Sequence, residues 1–434
     1  MLADIGVPDT DALFADIPPA VRLSRPLNLP PARSEMEIMS RLGAMAAKNV
    51  STADNACFLG CGAYDHYLPS VVDHMIRRGE FYTAYTPYQP EISQGTLQVI
   101  YEYQSLVCEL TGMDVSNASL YDGASALAEA AIMTLHSTDR RKLLVAHSVH
   151  PQWRRVLQTY TQGLGVEIVE LPLVDGVVDA DALGRLMGDD VAGVLVQHPN
   201  FFGCLEPVHA IEAAAHKHGA LLVVAADPIS LGLLDAPGNY GADIVVAEGQ
   251  PLGQPLAYGG PYLGVLACRD QFVRRLPGRI VGATLDARGQ RAYVLTLQAR
   301  EQHIRREKAT SNVCTNEALN ALMATVYLTW MGKQGIAEVA NLCLQKAHYA
   351  QQQVSRLTGW QPAFKAPFFK EFTVKSPVPV GQANAALLQR RIVGGYGAAA
   401  DYPELGETMI LCVTEKRTRQ EIDSLVAGLG AMKK

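Results

Sequence analysis

Long apolar runs are scarce in this sequence, and none reaches the roughly 18 consecutive residues of a membrane-spanning helix. The stretch from Met1 to Pro19 carries acidic residues early and lacks a basic-then-apolar pattern, which argues against a secretory leader and for a cytoplasmic location. Basic excess is also missing. With 37 Lys and Arg against 43 Asp and Glu, the formal charge is −6, and a nucleic-acid footprint would need the opposite balance. Arg300, Arg305, Arg306 and Lys308 do cluster, but Glu301 and Glu307 interrupt them, so the cluster reads as a solvated helix face. There is no C-x-x-C pair among the eight cysteines, at positions 57, 61, 108, 204, 268, 314, 343 and 412. Cys57 and Cys61 have no second pair at zinc-like spacing, so buried reduced thiols are expected. No H-E-x-x-H, Walker or G-x-S-x-G sequence occurs, and His216 and His218 suit a helix end without any metal. The best nicotinamide-type match, Gly395-Tyr-Gly-Ala-Ala-Ala400, runs into Asp401-Tyr-Pro403, which cannot continue the helix a pyrophosphate requires.

What is present is a chain able to bury a large core. Its 434 residues are 48% hydrophobic and 18% charged, which suits two or three compact units. Prolines 18, 19, 26, 30 and 31 break up the start, although Met36, Ile38, Met39, Leu42 and Met45 space out a helix over 34–47 with Ser34 as its cap. From there a β-α-β rhythm takes over. Apolar runs at 143–146, 166–171, 192–196, 221–226, 244–247 and 263–267 predict strands, and helix-like stretches at 150–162, 179–187 and 206–218 separate the first four. Leu221–Ala226 is almost wholly apolar, as befits a central strand covered on both faces. A helical stretch is expected over 292–330 with a break near 310–312. The end of the chain forms a smaller unit, with strands at 368–374 and 409–413 and helices at 383–391 and 418–432. The expected division is an arm over 1–75, a large α/β unit over 76–330 and a small C-terminal α/β unit over 331–434.

In open α/β sheets ligands gather outside the carboxyl ends of the strands. Asp227 stands there, directly after Leu221–Ala226, where a carboxylate can hold the ring nitrogen of pyridoxal phosphate (PLP) protonated; equally, it can simply start a turn before Pro228. The segment Tyr121–Glu129 opens a helix with small residues, which suits either a phosphate cradle or ordinary capping by Asp122 or Ser125. PLP also needs a lysine, and the loop after the strand at 244–247 is the natural place for it. That loop, 248–261, has none, and no lysine occurs between Lys217 and Lys308. A self-sufficient PLP enzyme would have to draw its lysine from elsewhere, such as Lys308.

One segment is far more particular: Tyr82-Thr-Ala-Tyr-Thr-Pro-Tyr-Gln-Pro-Glu-Ile-Ser-Gln-Gly-Thr-Leu-Gln98. Together with Phe58-Leu-Gly-Cys-Gly-Ala-Tyr-Asp-His-Tyr67, Asn117–Ser125, Glu248–Gly253, Arg300–Asn312, Asp401–Gly406 and Val413–Thr418, it closely resembles the P proteins of the glycine cleavage system, the glycine decarboxylases. The likeness extends over nearly the whole chain. It implies the fold of aspartate-aminotransferase-like PLP enzymes (fold type I), with a large mostly parallel sheet domain and a small C-terminal α/β domain. In that family some organisms divide the enzyme into two chains, and this one is similar to the N-terminal half, subunit 1. Counting back from Gly259-Gly-Pro261 then puts Gln250 at about the position where the other half carries its PLP lysine, so this half has a degenerate cofactor site near Asp227 and Gln250. The resemblance further implies an α2β2 heterotetramer with a PLP-bearing subunit 2, glycine as substrate, and transfer of the aminomethyl group to the lipoyl arm of the H protein. Tyr85, Thr86, Tyr88, Glu91, Ser93 and Gln94 are the expected wall residues at the subunit interface, on a segment that Pro87 and Pro90 stiffen.

Overall fold

The computed structural model describes residues 1–309, 311–313 and 315–432; Cys314 and, in the Arg300–Asn312 motif, Thr310 lie outside the described residues. Contacts divide the chain into Met1–Ser51 and Thr52–Lys434. In the first unit, helix α1 (Glu35–Ala46) starts as its spacing predicts, with Ser34 and Glu37 forming a reciprocal capping box. None of its residues is buried.

The second unit is organised by a seven-stranded sheet. Its strands are β1 (Val115–Ser116), β2 (Lys142–Ala146), β3 (Glu167–Leu171), β4 (Val191–His198), β5 (Leu221–Ala226), β6 (Ile244–Glu248) and β7 (Gly264–Cys268). They lie in the order β1-β7-β6-β5-β4-β2-β3. The run from β3 to β6 is parallel, and β7 and β1 are antiparallel additions at one edge. All six expected strands form. β5 is buried along nearly its whole length, because helices cover both faces of the sheet. Helices α2 (Gln94–Thr111), α3 (Gly123–Thr138), α4 (Pro151–Thr161) and α5 (Val208–Lys217) pack around it.

Two expectations need correction. Residues 52–75, grouped with the lead-in because of nearby prolines, belong to the second unit: Ala56–Cys57 pairs in parallel with Ile392–Val393, Phe58 is fully buried and Val72 enters the main core. The helical stretch expected from 292 is instead a hairpin, β8 (Ile280–Leu285) with β9 (Arg291–Thr296). Asp286 accepts from the backbone of Arg288 and Gln290, and Gly289 adopts φ 73°, so the turn outweighs the apparent helical spacing. The helix, α6 (Ala318–Val354), begins later and kinks at Gly332, which has φ 58°. A smaller four-stranded sheet follows in the order β10-β11-β13-β12: β10 (Gln361–Pro362), β11 (Glu371–Lys375), β12 (Tyr396–Gly397) and β13 (Thr408–Cys412). Helices α7 (Val380–Leu388) and α8 (Arg419–Gly430) complete its core with Trp360, Leu387 and Leu425. Among the described residues no helix is long and apolar enough to cross a membrane. The described cysteines are all free.

Candidate functional site

A pocket lies where the carboxyl ends of β5 and β6 face the start of α3 and the leading end of β11. Asp227 leaves β5 into it, as expected of a strand-end carboxylate. Its Oδ2 is 2.7 Å from Lys370 Nζ, and its Oδ1 accepts from Ile229 N–H at 3.0 Å. Lys370 is 1% exposed; its ammonium also sits 3.6 Å from the centre of the Tyr64 ring and 3.1 Å from His66 Nε2. Burial alone would lower this ammonium, but Asp227 reverses the balance and holds it above the ordinary lysine value. His66 is lowered, first by burial and then by Lys370. An ammonium can only donate, so Nε2 accepts from Lys370 and Nδ1–H donates to Glu415 at 2.6 Å. His66 and Cys343 both meet the Glu415 carboxyl, Cys343 Sγ–H donating to it at 3.6 Å.

Glu371 follows Lys370 and points into the same space. It accepts from Cys61 N–H at 2.7 Å and from Tyr64 OH at 2.9 Å, and burial pushes its carboxyl up to about 7. At the opposite end, α3 begins at Gly123. Asp122 and Ser125 form a reciprocal cap, one of the two readings open for this segment. An acceptor is present as well, supplied by the protein: the carboxyl of Glu248, at the end of β6, accepts from Gly123 N–H at 3.0 Å. Its other oxygen accepts from the N–H groups of Gln250 and Leu263. Burial raises the Glu248 carboxyl to about 7 against the pull of these three donors. Gly123 must lack a side chain, since a Cβ there would stand 2.3 Å from the Trp153 ring. His150 stacks on Trp153 at 6.0 Å, and burial lowers it to about 4.

Gln250 is fully buried. Its carboxamide accepts from Tyr64 N–H at 2.8 Å and donates to the carbonyls of Tyr64 and Gln254 at 3.0 and 2.9 Å. The space remaining in the pocket is about 30 Å³, room for about two water molecules. PLP does not fit these residues: an ammonium already occupies Asp227, the Glu248 carboxyl occupies the helix start, and an amide side chain fills position 250. Lys308 is exposed and does not line the pocket.

The sequence reading missed Lys370, Glu371 and Glu248. A signal for the first two was present, for they are a charged pair inside the otherwise apolar Phe368-Phe-Lys-Glu-Phe-Thr-Val374. The expected wall residues lie elsewhere, on the segment leading into α2. Tyr85 and Tyr88 are 73% and 56% exposed, Glu91 is exposed, and Thr86 and Ser93 are half-buried. The two tyrosine rings lie 6.3 Å apart, and the Arg279 guanidinium sits 5.5 Å from the centre of the Tyr88 ring. Gln94 is the first residue of α2 and is occupied: it donates to Pro90 and Tyr293 carbonyls at 2.7 and 2.9 Å and accepts from Tyr293 N–H at 2.8 Å. Arg300, expected on a solvated face, is buried and donates to the carbonyls of Leu276 and Gly278.

With this geometry in view, the comparisons with known proteins are decisive. The family model for the glycine cleavage system P-protein matches residues 1–429. The chain belongs to the glycine cleavage system P-protein family. A probable glycine dehydrogenase (decarboxylating) subunit 1 from Desulfitobacterium hafniense is 55% identical over 433 residues, spanning 100% of this P-protein chain and 97% of the relative. A crystal structure of glycine decarboxylase (P-protein) of the glycine cleavage system, in inhibitor-bound form, superposes with TM-score 0.93 at 42% identity, over 99% of this chain and 96% of that one. A C-DES variant carrying glycine covalently linked to its PLP cofactor matches at TM-score 0.65 and 17% identity, over 88% and 97% of the two chains. That likeness shows the fold alone: this P-protein chain has the α/β architecture of fold type I PLP enzymes.

Proposed function

We propose that this chain is the subunit 1 half of a divided glycine decarboxylase and that its partner subunit, not this chain, holds PLP. The supporting observation is the pocket itself. In a fold built around PLP, the chain's own site is filled by Lys370, Glu248 and Gln250. On the partner, PLP supplies the electron sink that lets glycine lose CO2. The aminomethyl group that remains passes to the oxidised lipoyl arm of the H protein, forming a C–S bond as the S–S bond breaks. The assembly is an α2β2 heterotetramer working in the cytoplasm.

This chain's own contribution is the segment from Tyr82 to Gln94. Tyr82, Tyr85, Tyr88 and Ile92 are each more than half exposed. Aromatic side chains presented in this way are enriched where partner surfaces meet. Tyr85, Thr86, Tyr88, Glu91 and Ser93 line the partner's active site, excluding water and offering hydroxyls and one carboxylate to glycine. Gln94 holds the segment in place from behind. Glycine–bicarbonate exchange in the reconstituted complex tests this wall, with Tyr85→Phe and Glu91→Gln each expected to lower the exchange rate. Unchanged exchange in both variants would remove these residues from the site. Visible absorbance of a borohydride-sensitive PLP imine on the purified chain alone would contradict the division of labour.

A further inference from the structure

We infer that this chain has replaced the two charged ends of a missing cofactor with its own side chains. Lys370 stands in for the protonated ring nitrogen opposite Asp227, and Glu248 stands in for the phosphate at the start of α3. Loss of the cofactor would leave two deficits behind. PLP is cationic at its ring nitrogen and anionic at its phosphate. A fold that keeps the strand-end carboxylate and the helix start but loses the ligand has a buried carboxylate without a cation and helix N–H groups without an acceptor. Neither deficit is present here. The Lys370 ammonium meets Asp227 at 2.7 Å, and Glu248 meets Gly123 N–H at 3.0 Å. Lys370 has the charge of the ring nitrogen it replaces, Glu248 offers carboxyl oxygens as acceptors where the phosphate oxygens would be, and each comes from a different element: β6 supplies Glu248, and the residue leading into β11 supplies Lys370.

The origin of Lys370 has a mechanical consequence. It belongs to the C-terminal sheet region, whereas Asp227 ends a strand of the large sheet. Their ion pair, the Tyr64–Glu371 hydrogen bond and the clamp of Gln250 on Tyr64 together tie the small sheet, the 61–66 segment and the large sheet around one filled point. The pocket is therefore an internal cross-link. Restoring a lysine at position 250 would not by itself reopen it.

The test uses the full chain assembled with its partner subunit, in two forms: Gln250→Lys alone, and Gln250→Lys combined with Lys370→Met and Glu248→Ser. Each is incubated with PLP. The introduced amine condenses with the aldehyde and one water leaves. Borohydride then delivers hydride to the imine carbon while nitrogen takes a solvent proton, fixing a secondary amine. Intact-mass measurement of each chain reads the outcome, with the partner's adduct as the positive control. The expected result is near-complete labelling of this chain in the triple variant and background labelling in Gln250→Lys alone. Equal labelling of the two, or an unlabelled triple variant that folds and assembles, would overturn the inference. If the triple variant does not assemble, melting temperatures of Lys370→Met, Asp227→Asn and their combination decide. The inference expects the combination to melt above Lys370→Met, because it removes the stranded carboxylate. Additive losses would refute it. None of these readouts depends on exchange activity, so their failure would leave the proposed role in glycine decarboxylation standing.

Discussion

Replacing Gln94 with alanine separates two roles that its position in the signature segment leaves entangled. The amide makes three hydrogen bonds, two as donor to Pro90 and Tyr293 carbonyls and one as acceptor from Tyr293 N–H. It thereby pins the segment before α2 to strand β9, and Tyr293 itself is 7% exposed. A net hydrogen bond contributes ~1 kcal/mol, and Gln94 is half-buried so water recovers part of the loss; the local cost is ~2 kcal/mol. At 1.4 kcal/mol per factor of ten, this raises the population of the locally opened hairpin by ~30-fold. Amide hydrogen exchange at Tyr293 in the reconstituted complex should lose protection by about that factor. Glycine–bicarbonate exchange should fall mainly through weaker substrate binding, since a loosened wall costs ordering entropy before it costs chemistry. If Tyr293 protection were unchanged while the exchange rate at saturating glycine collapsed, Gln94 would be touching the substrate, and the clamp assignment would be wrong.

Other outcomes follow from the same geometry. Glu129 is buried on α3, accepts from Ser311 Oγ at 2.9 Å, and burial raises its carboxyl to about 7. A raised folded pKa means the folded state holds its proton longer than the unfolded one, so this carboxyl costs stability as pH climbs from its unfolded value through about 7. Glu129→Gln should therefore gain on the parent by up to ~3 kcal/mol between acidic and mildly alkaline pH, read as diverging melting temperatures. Gly203 has φ 86°, and a Cβ there would lie 1.9 Å from the Glu371 carbonyl oxygen. Gly203→Ala should cost ~3 kcal/mol or more, from left-handed backbone strain plus a clash with the Glu371 backbone, and denaturant melts would measure it. Tyr88→Ala removes the exposed ring beside Arg279 and should weaken partner association by ~1 kcal/mol or more, measured by titrating one subunit against the other.

Much of the fold was legible because its signals are local. The six apolar runs became strands at nearly their expected limits; five are buried almost throughout, as a strand covered on both faces has to be continuously apolar, and the edge strand β3, with Glu167 and Glu170 in it, is the exception. Ser34 and Thr418 cap their helices, and both use a glutamate three residues later, a pattern visible in the sequence. The hairpin over 280–296 was missed because its spacing imitates a helix and its turn is set by one aspartate and one glycine.

The sequence alone determined the family, through motifs spread over the whole chain, and the absence of a lysine in the loop after β6, because an imine needs a primary amine and glutamine has none to offer. It also raised Asp227 as a ligand for a cation. Only the tertiary structure decided which cation: Lys370 lies 143 positions further along the chain and pairs with Asp227 because the small sheet packs over the end of the large one. The same packing brought Glu248 to the helix start and gave Gln250 a structural use. Coulombic pairing and burial act through space, so the contents of the pocket could not be read from spacing along the chain.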